Sequence, residues 1–68
     1  MPEVVVFAMA GRSLKEKQSL LKDITDAVVR NFRVAADLVT VQIVECAPEL
    51  KSKGGIPYSE RPPGAIKN

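Results

Sequence analysis

The stretch PEVVVFAMAGRSLKE (residues 2–16) changes character twice. Val4, Val5 and Val6 are β-branched, and apolar residues run on to Ala10, which favours a strand over residues 2–10. The apolar residues occupy both alternations of that strand, which implies burial on both faces. Gly11 breaks the run. Ser13-Leu14-Lys15-Glu16 then reads Ser-x-x-Glu, a capping box in which Ser13 and Glu16 satisfy each other's backbone amides at the start of a helix.

Outward from this junction the pattern is regular. Leu14, Leu21, Ile24, Val28 and Phe32 share one helical face, widened by Leu20 and Ala27, and predict a helix over residues 14–32. Lys22, Asp26 and Arg30 on the other side are spaced for i,i+4 pairing. The apolar arc exceeds the stripe of an ordinary surface helix, which suggests contact with both a sheet and a neighbouring subunit. Residues 38–46 read as a second strand, with Val39, Val41 and Ile43 alternating with Thr40 and Gln42, and Asp37 in the turn before it. Strand, helix, strand is an α/β arrangement: a β-α-β protomer with parallel strands and a right-handed crossover. From Ala47 onward, Pro48, Gly54-Gly55, Pro57 and Pro62-Pro63-Gly64 mark loops, a short hairpin at Gly54-Gly55 and a tail. Leu50, Ile56, Tyr58 and Ile66 are its only scattered anchors. The reading is a single domain over residues 1–68, made of a β-α-β unit (1–46) and a Gly/Pro-rich segment (47–68).

Two strands and one helix do not stand alone in water. A chain of 68 residues buries only about 60% of the surface its unfolded form exposes and needs a staple. Cys46 is the only cysteine, so no disulfide forms within the chain, and histidine is absent, so no structural zinc site is available. Self-association remains, with the sheet completed by dimerisation. The missing histidine also excludes Ser-His-Asp and Cys-His catalysis and histidine-bound metal within one chain. Ten Lys/Arg against eight Asp/Glu form no basic stripe, and only Phe7, Phe32 and Tyr58 are aromatic, which argues against nucleic acid. The apolar run Val4–Ala10 is too short to span a bilayer. Glu3 stands where a signal peptide carries positive charge, which leaves a cytoplasmic protein as the default.

Pro2 is the residue with most chemical content. Inside a chain, proline nitrogen is an amide with no proton. Removal of Met1 would make it a secondary amine. An α-amino group titrates at about 7.7–8.0, and burial or a nearby cation lowers that value. Arg12 lies just past the end of the strand that Pro2 opens. A base poised near neutrality suits proton transfer at carbon. By itself, a Met-Pro start is an ordinary N-terminus.

The order of these features resembles the 4-oxalocrotonate tautomerase family. The N-terminal proline, the strand ending in Gly11-Arg12-Ser13, Lys17 and Leu20-Leu21 on the helix, Val44-Glu45 ending the second strand and Gly54-Gly55 beyond it carry the resemblance. It covers residues 2 to about 55. It implies β-α-β protomers joined into four-stranded sheets and assembled as a hexamer of three dimers. It also implies an enzyme that moves a proton between hydroxyl-diene and keto forms of a 2-oxo acid, with Pro2 as general base and acid. Arg12 would hold the substrate carboxylate, for which a guanidinium offers a bidentate fork. The small-molecule partner is thus a carboxylic acid, and neither metal nor organic cofactor is needed. Relatives hydrate and dehalogenate haloacrylates or decarboxylate a semialdehyde at the same proline.

Two positions depart from the pattern. The family's second arginine, which polarises the substrate carbonyl, falls at Thr40, a neutral donor. A phenylalanine of the family's pocket falls near Lys51. Lys51 either returns the charge lost at Thr40 or is a solvated loop residue. The departures leave open a hydratase- or dehalogenase-like reaction, and a non-catalytic subunit of a hetero-oligomer. Glu45 reads as half of a structural ion pair, Cys46 as a small core residue, and Glu3 as an acid beside Pro2. Tyr58 and Arg61 either reach a neighbour's pocket or pin the tail.

Overall fold

The computed structural model describes residues 1–61. Strand β1 (Glu3–Met9), helix α1 (Leu14–Phe32) and strand β2 (Thr40–Cys46) form the main unit, and β3 (Ser52–Lys53) and β4 (Ile56–Pro57) form a small hairpin. β1 and β2 are parallel, in a register from Glu3 opposite Thr40 to Met9 opposite Cys46. The β-α-β reading stands.

The helix starts and stops for local reasons. The Ser13 amide donates to Glu16 Oε1 at 3.0 Å and the Glu16 amide donates to Ser13 Oγ at 3.1 Å, so both bonds of the capping box are present. At the other end Arg33 turns left-handed (φ 56°, ψ 49°), and its amide closes on the Val29 carbonyl at 2.9 Å. Lys22 pairs with Asp26 at 3.0 Å, and among the described residues Arg30 does not extend that pairing.

The second strand is shorter than the pattern implied. Ala36–Leu38 is a 3-10 turn, in which the amides of Leu38 and Val39 donate to the carbonyls of Ala35 and Ala36. These short-range bonds claim Leu38 before the ladder begins at Thr40. The hairpin sits where Gly54-Gly55 placed it. Both glycines have positive φ (64° and 82°), as a tight two-residue hairpin turn requires. Pro62, Pro63, Gly64 and Ile66 lie outside the described residues.

Alternation sorts the sheet into two faces. Val4, Val6 and Ala8 on β1 align with Val41, Ile43 and Glu45 on β2. All but Glu45 are half-buried, and the Lys17–Glu45 bond identifies this as the side facing α1. The opposite face carries Glu3, Val5 and Phe7 beside Thr40, Gln42 and Val44, all exposed. Burial on both faces of β1 is therefore not met within one protomer. Among the described residues a single α-helix is available to lie on the sheet, and Phe7 is left 74% exposed. Among the described residues no side chain is fully buried. Leu14 and Phe32 on the helix are each 67% exposed, at the edges of the wide apolar arc.

Candidate active site

Pro2 immediately precedes β1 and is half-buried. Its carbonyl accepts the amide of Thr40 at 3.1 Å, which ties it to the start of the neighbouring strand. Thr40 itself is exposed, opposite Glu3 in the ladder. These three residues mark one end of the sheet.

Arg12 belongs to the other end. The whole of β1 separates it from Pro2, and seven residues of strand span about 20 Å. A small acid does not bridge that distance. The sequence sets Arg12 just past the end of the strand that Pro2 opens, and the extended strand keeps the two residues apart within one chain.

At the Arg12 end an open cleft of about 260 Å³ lies between α1 and the ends of the strands. Ala8, Met9, Leu20 and Ile43 supply apolar walls, and Arg12, Glu16, Lys17 and Glu45 supply charge. Lys17 Nζ donates to Glu45 Oε1 at 3.0 Å, which pins the first turns of the helix to β2. This confirms Glu45 as half of a structural pair. Arg12 Nη1 stands 3.9 Å from Glu16 Oε2, and both side chains are mostly exposed. The Glu16 carboxyl titrates below the usual glutamate range, first because of its bonds with Ser13 and then because of Arg12.

The sequence singled out Arg12 but read Glu16 only as a cap and Lys17 only as part of a pattern. The i,i+4 spacing of Arg12 and Glu16 was the signal for their pairing. Nothing local signalled Lys17 with Glu45, which lie 28 residues apart.

Lys51 follows the 3-10 turn Pro48–Leu50. It is exposed, its carbonyl accepts the Tyr58 amide at 2.8 Å, and it does not line the cleft. Thr40 opens β2, whereas Lys51 lies beyond its far end. Arg61 places its guanidinium 5.8 Å from the centre of the Tyr58 ring, a cation–π contact that pins the last described residue. Cys46 is half-buried, and its thiol donates to the Ala47 carbonyl at 3.5 Å. No helix among the described residues is long and apolar enough to cross a membrane.

No family model matches the sequence. Individual relatives do. A probable tautomerase of Bradyrhizobium diazoefficiens is 42% identical over 67 residues, which cover 98% of this chain and 100% of the relative. Among solved structures, a 4-oxalocrotonate tautomerase isozyme of Methylibium petroleiphilum is 31% identical with a TM-score of 0.77, covering 85% of this chain and 91% of its own. A chain of the heterohexamer 4-oxalocrotonate tautomerase of Chloroflexus aurantiacus is 28% identical with a TM-score of 0.79, covering 88% and 97%. Sequence likeness nearly end to end and the same β-α-β protomer lead to one assignment: the chain belongs to the 4-oxalocrotonate tautomerase family.

Proposed function

We propose that this chain is an isomerase that moves a proton between the enol and keto forms of a 2-oxo or unsaturated carboxylic acid. Met1 is removed, and the Pro2 amine acts first as base and then as acid. The observation that carries the reading is the placement of Pro2. It is half-buried at the head of β1, and the Thr40 amide fixes its carbonyl. A secondary amine at that position has a ring that holds its lone pair in one direction. An ordinary α-amino group titrates at about 7.7–8.0, near enough to neutrality both to accept and to return a proton.

The carboxylate of the substrate is held by Arg12, but from another copy, because about 20 Å of strand separates Pro2 and Arg12 within one chain. The catalytic unit is therefore an oligomer. The exposed Val5, Phe7 and Val44 on the uncovered face of the sheet support the same conclusion. A homohexamer built from three dimers is the arrangement we favour, and it lies in the cytoplasm. The Chloroflexus relative, a heterohexamer, keeps a hetero-oligomer as the alternative. Lys51 is assigned to the substrate site as a cation brought in across a chain boundary, and Thr40 as a neutral donor beside the Pro2 of its own chain. Proton transfer by the amine calls for no cofactor.

A second reading is favoured by Thr40. Without a charge at that position the carbonyl is polarised only by a neutral hydrogen bond, worth less than a charge-assisted one. A hydration or dehalogenation in which Pro2 delivers a proton to carbon has no ketone oxygen to polarise at that position.

The test is ketonisation of 2-hydroxymuconate, followed by ultraviolet absorbance, with Met1 confirmed absent by mass. Pro2→Ala keeps an amino terminus but changes its basicity and shape. Turnover lost in an intact oligomer supports the proposal. Turnover unchanged by the substitution refutes it. No turnover in the wild-type protein, with haloacrylates hydrated instead, selects the second reading.

A further inference from the structure

The cleft beside Arg12 is electrically balanced as it stands. It is lined by two cations, Arg12 and Lys17, and two carboxylates, Glu16 and Glu45. The two pairs are not equivalent. Lys17 and Glu45 are joined by a 3.0 Å hydrogen bond and are only 26% and 33% exposed. Arg12 and Glu16 are 3.9 Å apart and 64% and 59% exposed. At that distance they form an ion pair without a hydrogen bond.

Glu16 does not depend on Arg12 for its position. Its Oε1 accepts the Ser13 amide and its own amide donates to the Ser13 hydroxyl, so the capping box fixes the carboxylate while Oε2 faces the guanidinium. A fixed negative charge thus stands beside a loosely held positive one. An incoming carboxylate can offer Arg12 two parallel hydrogen bonds in place of one long contact.

We propose that Glu16 is the resident counter-ion of Arg12, that a substrate carboxylate binds by displacing it, and that the charge at residue 16 sets the affinity of the cleft for carboxylates. The proposal rests on the reading of Arg12 as the carboxylate-binding residue. Lys17 takes no such part, because Glu45 holds it more tightly and in less solvent. Exposed pairs of this kind are weak, so losing the competitor should tighten carboxylate binding about two- to fivefold.

The probe is cis,cis-muconate, an unsaturated dicarboxylate without the hydroxyl needed for ketonisation. Its dissociation constant is read from the arginine side-chain NMR signals of the processed, assembled protein at low salt. Glu16→Gln is the informative variant, since glutamine preserves the capping box and removes only the charge. The expected result is tightening of about two- to fivefold that shrinks as salt is added. Ser13→Ala weakens the cap but leaves the Glu16 charge, and its affinity should match the wild type. Arg12→Ala should weaken binding strongly and abolish the effect of Glu16→Gln. If Arg12→Ala weakens binding but Glu16→Gln leaves it unchanged or weaker, the counter-ion proposal is overturned and the Arg12 reading survives. The proposal also falls if Ser13→Ala reproduces the tightening, because the effect then belongs to the helix end. If muconate shifts no arginine signal, or binds Arg12→Ala as it binds the wild type, the Arg12 reading itself fails and the counter-ion role with it.

Discussion

Replacing Phe7 with serine tests whether the exposed sheet face is the surface that holds the subunits together. Phe7 stands on β1 opposite Val44 of β2, with Val5 on the same face, and is 74% exposed in the protomer. A phenylalanine contributes about 200 Å², so covering the exposed three-quarters hides about 150 Å² of apolar surface. At about 25 cal/mol per Å² that is about 4 kcal/mol for each chain. An interface related by two-fold symmetry contains the residue twice and would lose about 8 kcal/mol, or about six orders of magnitude in the association constant. Serine leaves the backbone ladder of β1 intact, so the defect is one of assembly. Sedimentation velocity at micromolar concentration should show the wild type as an oligomer and Phe7→Ser largely as lighter species with reduced helical circular dichroism. The second signal follows from the absence of any fully buried side chain among the described residues of the protomer. If Phe7→Ser sediments with the wild type and keeps its thermal midpoint, the sheet face is not the assembly surface.

Thr40→Arg restores a guanidinium at the Pro2 end of the sheet. A hydrogen bond from a charged group contributes about 1.5–3 kcal/mol, so kcat/KM for 2-hydroxymuconate should rise about tenfold or more, and no gain would mean that residue 40 does not reach the substrate carbonyl. The Glu16 carboxyl has its pKa lowered by its bonds to Ser13, so its contribution to stability is complete above the ordinary glutamate range and is lost as the pH falls through its folded value. The thermal midpoint should therefore fall more steeply with acidification in the wild type than in Glu16→Gln, and parallel curves would show that the cap does not depend on this charge.

The parts of the fold that are legible in the sequence are those whose causes are local. Ser13 and Glu16 announce the start of α1 because the bonds that make the cap join residues three apart. The periodic apolar face carries the reading to Phe32, although no glycine marks the stop and Arg33 takes the left-handed conformation itself. Gly54-Gly55 announces its hairpin because few residues other than glycine accept positive φ twice in succession. Leu38 reads as strand in the sequence because apolar character alone does not distinguish a strand from a tight turn. The amide bonds to Ala35 and Ala36 settle the matter, and they have no signature in hydropathy.

The burial of β1 fails for a different reason. Its double-sided apolar pattern describes the environment the strand requires, whereas one protomer provides half of it. The cleft is less legible still. Lys17 and Glu45 meet only because the crossover returns β2 alongside β1 in a particular register. The separation of Pro2 from Arg12 depends on the residues between them being fully extended. Ten residues of helix would have left the two much closer, at 1.5 Å of rise per residue instead of about 3.3 Å.

That separation organises the chemistry. If one substrate is to touch both an amine at the head of β1 and a guanidinium beyond its far end, the two groups come from different chains, and assembly becomes a condition of catalysis. The charge at each end is then set independently. At the Pro2 end, Thr40 supplies a neutral donor beside Glu3. At the Arg12 end, the guanidinium stands 3.9 Å from Glu16, its proposed counter-ion. Thr40→Arg and Glu16→Gln each make one end more cationic without altering the other. In an assembled site, the first should act on turnover, where charge develops on a carbonyl, and the second on binding, where a carboxylate is already charged before the reaction begins. A substitution at either end that moved both quantities together would mean that the ends are not separate, and that the distance along β1 does not govern the site.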